Sequence, residues 1–138
     1  MDGRSTATAG MPWVQARSLG TYGERMAARY LRESGLEVLD RNWRCTLGEI
    51  DLVARDGACL VVCEVKTRRS TSFGSPVEAV DHRKLARLRR LSAAWLAERR
   101  ATPPGLAWRV DAVRVDVVGV LRPRVGPCVI EHLAGVLW

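Results

Sequence analysis

The apolar residues of this chain alternate between two periods. From Thr21 to about Ser34, TYGERMAARYLRES, they recur at helical spacing through Ala27, Tyr30 and Leu31, and Gly35 follows as a stop. The pattern then switches to strands: LEVLDRNWR, GEIDLVAR and ACLVVCEVKT, the last two separated by Asp56-Gly57, a strong hairpin signal. After an RRSTSFG loop, Ser75-Pro76-Val77-Glu78 offers a capping Ser, a Pro at the first helical position and a Glu at the third. A second helix is expected from there to about Arg100, with Leu85, Leu88, Leu91 and Trp95 on one face. TPPG ends it, WRVDAVRVDVVGV reads as one long or two short strands, and VIEHLAGVLW closes as a short helix or strand. Residues 1–17 are small, polar and aperiodic, a loose arm before a single domain over 18–138. The order α-β-β-β-α-β predicts an α/β fold, a mixed sheet flanked by helices.

The hairpin sorts its charges. If its turn takes two residues at Asp56-Gly57, Arg55 lies opposite Ala58, Asp51 opposite Val62 and Glu49 opposite Glu64. Strand alternation then puts Glu49, Asp51, Val53, Leu60, Val62, Glu64 and Lys66 on one face, and Ile50, Leu52, Ala54, Cys59, Val61, Cys63 and Val65 on the other. The second face is wholly apolar. The first joins charges at one end to Val53, Leu60 and Val62, so something packs over most of it and leaves a polar pocket. A slip of one residue would send Asp51 and Glu64 to opposite faces.

As diagonal neighbours, Asp51 and Glu64 have Cα atoms about 7–8 Å apart, within reach of a shared ion. Carboxylates this close repel, and a partly buried one without a partner costs more. Lys66 offsets part of that cost. Mg²⁺, which takes one or two carboxylates together with water and phosphate, is suited to offset the rest. An ordinary cross-strand salt-bridge cluster is the plainer alternative.

Composition narrows the class. The chain has 138 residues, 47% of them hydrophobic, enough for one core. No stretch approaches the roughly 20 apolar residues of a membrane span, and the first residues lack a secretory apolar block, so a soluble cytoplasmic protein is expected. Cys45, Cys59, Cys63 and Cys128 show no CxxC spacing and read as reduced, buried thiols rather than a zinc site. A formal charge of +7 favours an anionic partner. Of the 22 basic residues 20 are Arg, which makes Lys66 in mid-strand conspicuous, because Lys is a compact point charge with a movable pKa. Arg83, Arg87 and Arg90 form a ridge beside Lys84, and Arg68 and Arg69 follow the third strand on a loop; all are candidate phosphate contacts, although charged helix surfaces are ordinary. His82 and His132 read as isolated helix-surface and tail residues.

Asp51, a hairpin, then Glu64-Val65-Lys66 resembles the PD-(D/E)xK nuclease motif, with Ile50 where the motif's name has Pro. The fuller string GEIDLVARDG…VVCEVKTR, with GERMAARYL, RNWR, SPVEAV and VRVDVVGV around it, resembles the YraN-like family of uncharacterised, endonuclease-like proteins from about Leu19 to the C-terminus. That family is similar in fold to archaeal Holliday junction resolvases. The resemblance implies a restriction-endonuclease-like αβββαβ core and an Mg²⁺- or Mn²⁺-dependent endonuclease acting on DNA, branched forms included. Homodimers are known among resolvase-like relatives. With Asp51 and Glu64, Glu24 and the Val65 carbonyl complete the expected ligand set, Lys66 assists the attacking water, and Glu49 is a further ligand or a neighbour of the ligands. Glu24 lies on the helical side of Ala27, Ala28 and Leu31, which points it at a site, yet Thr21-x-x-Glu24 is equally a capping box. Two rivals share the pattern: a nucleic-acid-binding module of the same fold without cleavage, and a protein-interaction domain whose carboxylates form a salt-bridge network.

Overall fold

The computed structural model describes residues 12–70 and 81–136. The elements are α1 (Pro12–Glu33), β1 (Glu37–Cys45), β2 (Gly48–Asp56), β3 (Cys59–Arg68), α2 (His82–Ala101), β4 (Ala112–Leu121) and β5 (Val129–Leu133). The strands form one sheet in sequence order, antiparallel except for β3 and β4, which the α2 crossover makes parallel. The expected class holds: a mixed sheet flanked by two helices, consistent with a restriction-endonuclease-like core, with β5 as a further strand. Among the described residues no helix is long and apolar enough to cross a membrane.

Each helix covers one face of the sheet. Ala27, Ala28 and Leu31 of α1 pack on Leu52, Ala54, Val61, Cys63, Val118 and Val120. Leu85, Leu88, Leu91 and Trp95 of α2 pack on Ile50, Val53, Leu60, Val62 and Val115. Burying a Leu or Val fully contributes about 1.5–3 kcal/mol, so these two layers decide which way the hairpin faces. Both helices also carry local stop signals. Gly35, at φ +96°, donates to Arg32 O and Leu36 donates to Leu31 O at 3.0 Å each, a Schellman end. At α2 the Asp81 carboxylate caps the Lys84 amide at 2.9 Å, and Thr102 closes the helix through Glu98 O at 2.8 Å.

Several boundaries differ from the sequence reading. The first helix begins at Pro12, so 12–17 of the expected arm are helical, and residues 1–11 lie outside the described residues. The second begins at His82 because Asp81 is extended and serves as its cap; the expected start at Ser75 falls within 71–80, outside the described residues. The β2–β3 loop is Gly57-Ala58, since Gly57 takes φ +61° and draws Asp56 into the ladder opposite Cys59. The register therefore moves by two, which preserves the facing of the paired residues from Leu52 to Cys63. Arg68 ends β3, paired with Leu121, rather than standing on a loop. Of the two strands allowed for WRVDAVRVDVVGV there is one, and the tail is a strand.

Candidate active site

At one end of the hairpin the ladder stops. Its last pair is Leu52 with Cys63. One residue further, the Asp51 carboxylate takes the place of a backbone acceptor, and its Oδ2 accepts the Val65 amide at 2.8 Å. Side-chain alternation slips at this residue. Ile50 was expected on the face of Leu52 and Ala54, but it packs under α2 with Val53. Across from it on β1, Asn42, between the partners of Ile50 and Leu52, sits at φ +52°, outside the extended region of a regular strand. Extending the register sets Asp51 opposite Glu64. Both line one cleft of about 440 Å³ between the β1–β2 turn and α2, with Arg44, Glu49, Lys84 and Arg87. The shared cavity expected for the two carboxylates is there, beyond the end of the apolar seam formed by Val53, Leu60 and Val62.

Glu64, 6% exposed, is the most enclosed acid of this cleft. Its Oε2 meets Lys66 Nζ at 3.1 Å and Lys84 Nζ at 2.6 Å. These are the two lysines of the chain, brought from β3 and from the first turn of α2 onto one carboxylate oxygen. Lys84, expected beside the Arg ridge of α2 as a candidate phosphate contact, turns its half-buried side chain to Glu64.

The charges strain one another. Burial first, then the Glu64 charge, push the Asp51 carboxyl up to about 7, against the pull of the Val65 amide; Glu24 and Glu49 push the same way. Burial also raises Glu24, partly offset by a hydrogen bond from the Asn42 side chain. At Lys84, burial pulls downward, but the hydrogen bond to Glu64 and the charges of Glu64 and Asp51 outweigh it and hold the ammonium above its ordinary range.

As donors for a metal, Asp51 and Glu64 fit a hard dication: oxygen ligands, one half-buried and one buried, mutually repelling and lining a cleft. They form a pair rather than a cage, because among the described residues no three His, Cys, Asp or Glu side chains converge tightly enough to hold an ion. Glu24 is near enough for its charge to reach Asp51, yet Asn42 engages it. Thr21 lies inside α1, so a capping box cannot account for Glu24. Gly23 beside it is buried, and a Cβ there would overlap the Thr67 side chain, which shows how closely α1 approaches β3 next to Lys66. Val65 meets the site through its amide, and Glu49 pairs with Arg44 at 3.7 Å on the cleft rim.

The basic residues divide. Arg87 lines the cleft, Arg83 and Arg90 are exposed on α2, and Arg69 is exposed just past β3, with Arg68 half-buried before it. Arg44, which the sequence reading did not single out, lines the cleft mouth. It stands in the RNWR string already noted, so the signal was available.

A second polar cluster lies under α1, at the far side of the sheet. Asp116, fully buried, accepts Arg114 Nε at 3.0 Å and the Gly135 amide at 2.9 Å, and meets His132 Nε2 at 2.8 Å. His132 Nδ1 in turn meets the Tyr30 hydroxyl at 3.0 Å. His132 is therefore no isolated tail residue, because it joins β5 to β4 and α1. Of the four cysteines, all free, only Cys63 is fully buried, beside Asp116; the other three are half-buried.

Comparison with known proteins gives a family. The model of "Uncharacterised protein family UPF0102" matches residues 23–120, which include both site strands and α2. A UPF0102 protein of Kineococcus radiotolerans is 58% identical over 127 residues, covering 91% of this chain and 99% of its own. One of Beutenbergia cavernae is 58% identical over 119 residues, covering 86% and 95%. One of Streptomyces griseus subsp. griseus is 56% identical over 119 residues, with the same coverage.

Proposed function

The chain belongs to the uncharacterised protein family UPF0102, and from its site we propose that it is a metal-dependent nuclease hydrolysing phosphodiester bonds in DNA. One observation carries the reading: two repelling carboxylates, Asp51 and Glu64, share a cleft with both lysines of the chain in reach of Glu64 and with Arg44 and Arg87 at its wall. A phosphodiester needs negative charge neutralised, water aligned with the leaving oxygen, and the phosphate held. Asp51 and Glu64 would hold Mg²⁺ or Mn²⁺, with Glu24 from α1 and the Val65 carbonyl as further oxygen ligands. A dication held there would supply charge neutralisation and lower the pKa of a water molecule. Lys66, 3.1 Å from Glu64, orients that water. Arg44 and Arg87 hold the flanking phosphates, which gives affinity without sequence choice. Resemblance to the PD-(D/E)xK nucleases and resolvases supports the same reading.

The test is purified protein with Mg²⁺ or Mn²⁺ against linear and branched DNA. Divalent-dependent cleavage that is lost in Glu64→Ala is expected, and undiminished cleavage by that variant would end the proposal. A second reading, a DNA-binding module without cleavage, has one observation in its favour: Glu64 is already occupied by two ammonium groups. DNA binding without turnover at any divalent concentration would select it.

A further inference from the structure

Glu64 has more cation than it needs. One ammonium neutralises one carboxylate, yet two converge on Oε2, while the Asp51 carboxylate beside it meets a backbone amide. The two lysines are differently placed. Lys66 rises from the sheet two residues along β3 from Glu64, held by the parallel ladder to Gly119. Lys84 comes from the opposite wall, from the first turn of α2, on a long stem with 26% of its side chain exposed. It makes the shorter contact of the two. Lys84 is thus the cation that can leave without unfolding anything, because its backbone is fixed by the Asp81 cap while its ammonium swings on four carbons.

We infer that Lys84 is a positioning residue of this site: its ammonium holds the cation place at Glu64 while no dication is bound, and gives it up when one binds. The inference rests on the nuclease reading above and adds a residue to it. A dication held by Asp51 and Glu64 would repel the Lys84 ammonium and would need the Glu64 oxygen it occupies. Once released, the ammonium faces the cleft beside Arg87, the next residue of α2 to line it, where a phosphate oxygen is the available anion. Lys84 therefore opposes metal binding in the free protein and assists substrate once metal is in place. The same side chain carries two effects of opposite sign, which a purely structural ion pair would not.

The experiment separates them. Mn²⁺ affinity is measured by calorimetry without nucleic acid for the wild type, Lys84→Met and Lys84→Gln, with Glu64→Ala as the control for the site. Removing a competing charge-assisted hydrogen bond, Lys84→Met and Lys84→Gln bind Mn²⁺ about tenfold or more tightly. At saturating Mn²⁺ both cleave DNA about tenfold or more slowly, through loss of the phosphate contact. Mn²⁺ binding no tighter than wild type in both variants overturns the inference even if the wild type is an active nuclease. Tighter binding with undiminished cleavage removes the phosphate role. If the wild type binds Mn²⁺ no better than Glu64→Ala, the metal site itself fails, and this inference with it.

Discussion

Asp51→Asn changes one charge and little else, because the amide oxygen can still accept the Val65 N–H that Asp51 accepts at 2.8 Å. The wild-type carboxyl stands at about 7 instead of its ordinary 3.8, through burial and then through Glu64. The sign follows by linkage. Between those two values the folded chain binds more protons at this site than the unfolded chain, so unfolding free energy falls as pH rises. The penalty is absent below about pH 4, grows through the window and is complete above about pH 7. At about 1.4 kcal/mol per tenfold change in proton affinity, the full displacement corresponds to about 4 kcal/mol. Lys66 and Lys84 stand close by on Glu64 and the cleft admits water, so about half, near 2 kcal/mol, is the expected size.

The assay is urea unfolding in EDTA at pH 4.5 and pH 8, comparing wild type with Asp51→Asn. Other groups titrate in both proteins and cancel in the difference, which leaves Asp51 and its repulsion with Glu64. At pH 4.5 the two midpoints should nearly coincide. At pH 8 the variant should be more stable by about 2 kcal/mol, a midpoint higher by about 1 M at an ordinary urea slope. An equal difference at both pH values would mean that Asp51 titrates like an exposed carboxyl and does not share a half-buried cleft with Glu64.

Gly23→Ala forces a methyl group into Thr67 and should cost about 1–3 kcal/mol in thermal or urea unfolding. Gly20→Ala in the same helix meets open space and should instead stabilise by about 0.5–1 kcal/mol. Asp116→Ala strands Arg114 and His132 inside the fold and should cost about 3–5 kcal/mol by urea unfolding, with the secondary structure retained below the midpoint. Removing Arg83 and Arg87 together should lower the slope of log affinity against log salt for DNA by about two, and an unchanged slope would assign both to solvent.

What the sequence disclosed, and what it withheld, follows from the range of the interactions. The Leu85–Leu88–Leu91–Trp95 face and the Gly35 stop are set within a turn or two of helix, so they could be read from spacing. The hairpin facings survived a wrong turn because the error was two residues, and side chains repeat every two. The slip at Asp51 was hidden because it is a departure from regular strand geometry, faced on β1 by the positive-φ Asn42, which period-two counting cannot register. The contact of Lys84 with Glu64 was hidden for a related reason: helical spacing names a face but not where a long side chain ends. Its rarity in an Arg-rich chain was the signal that could have found it. Glu24 stayed ambiguous until α1 proved to run from Pro12 through Thr21, which removes the cap.

The cleft is built by rigid elements, and that bears on how it can work. Lys84 and Arg87 reach it from α2, whose orientation is fixed at the other end. There the Trp95 indole donates to Asp40 at 3.0 Å, the Trp43 indole donates to Glu98 at 3.0 Å, and Arg99 lies over the Trp95 ring. Trp95 is buried, so its hydrogen bond cannot be exchanged for water without cost. Eleven residues of helix, about 16 Å, separate that clamp from Lys84. A helix held this way cannot easily withdraw its cations, whereas a lysine side chain can swing. The movable part of the site is then a single ammonium on a fixed backbone, and the two carboxylates must tolerate its departure. Their repulsion, costly without a cation, is what makes them receptive to the next one.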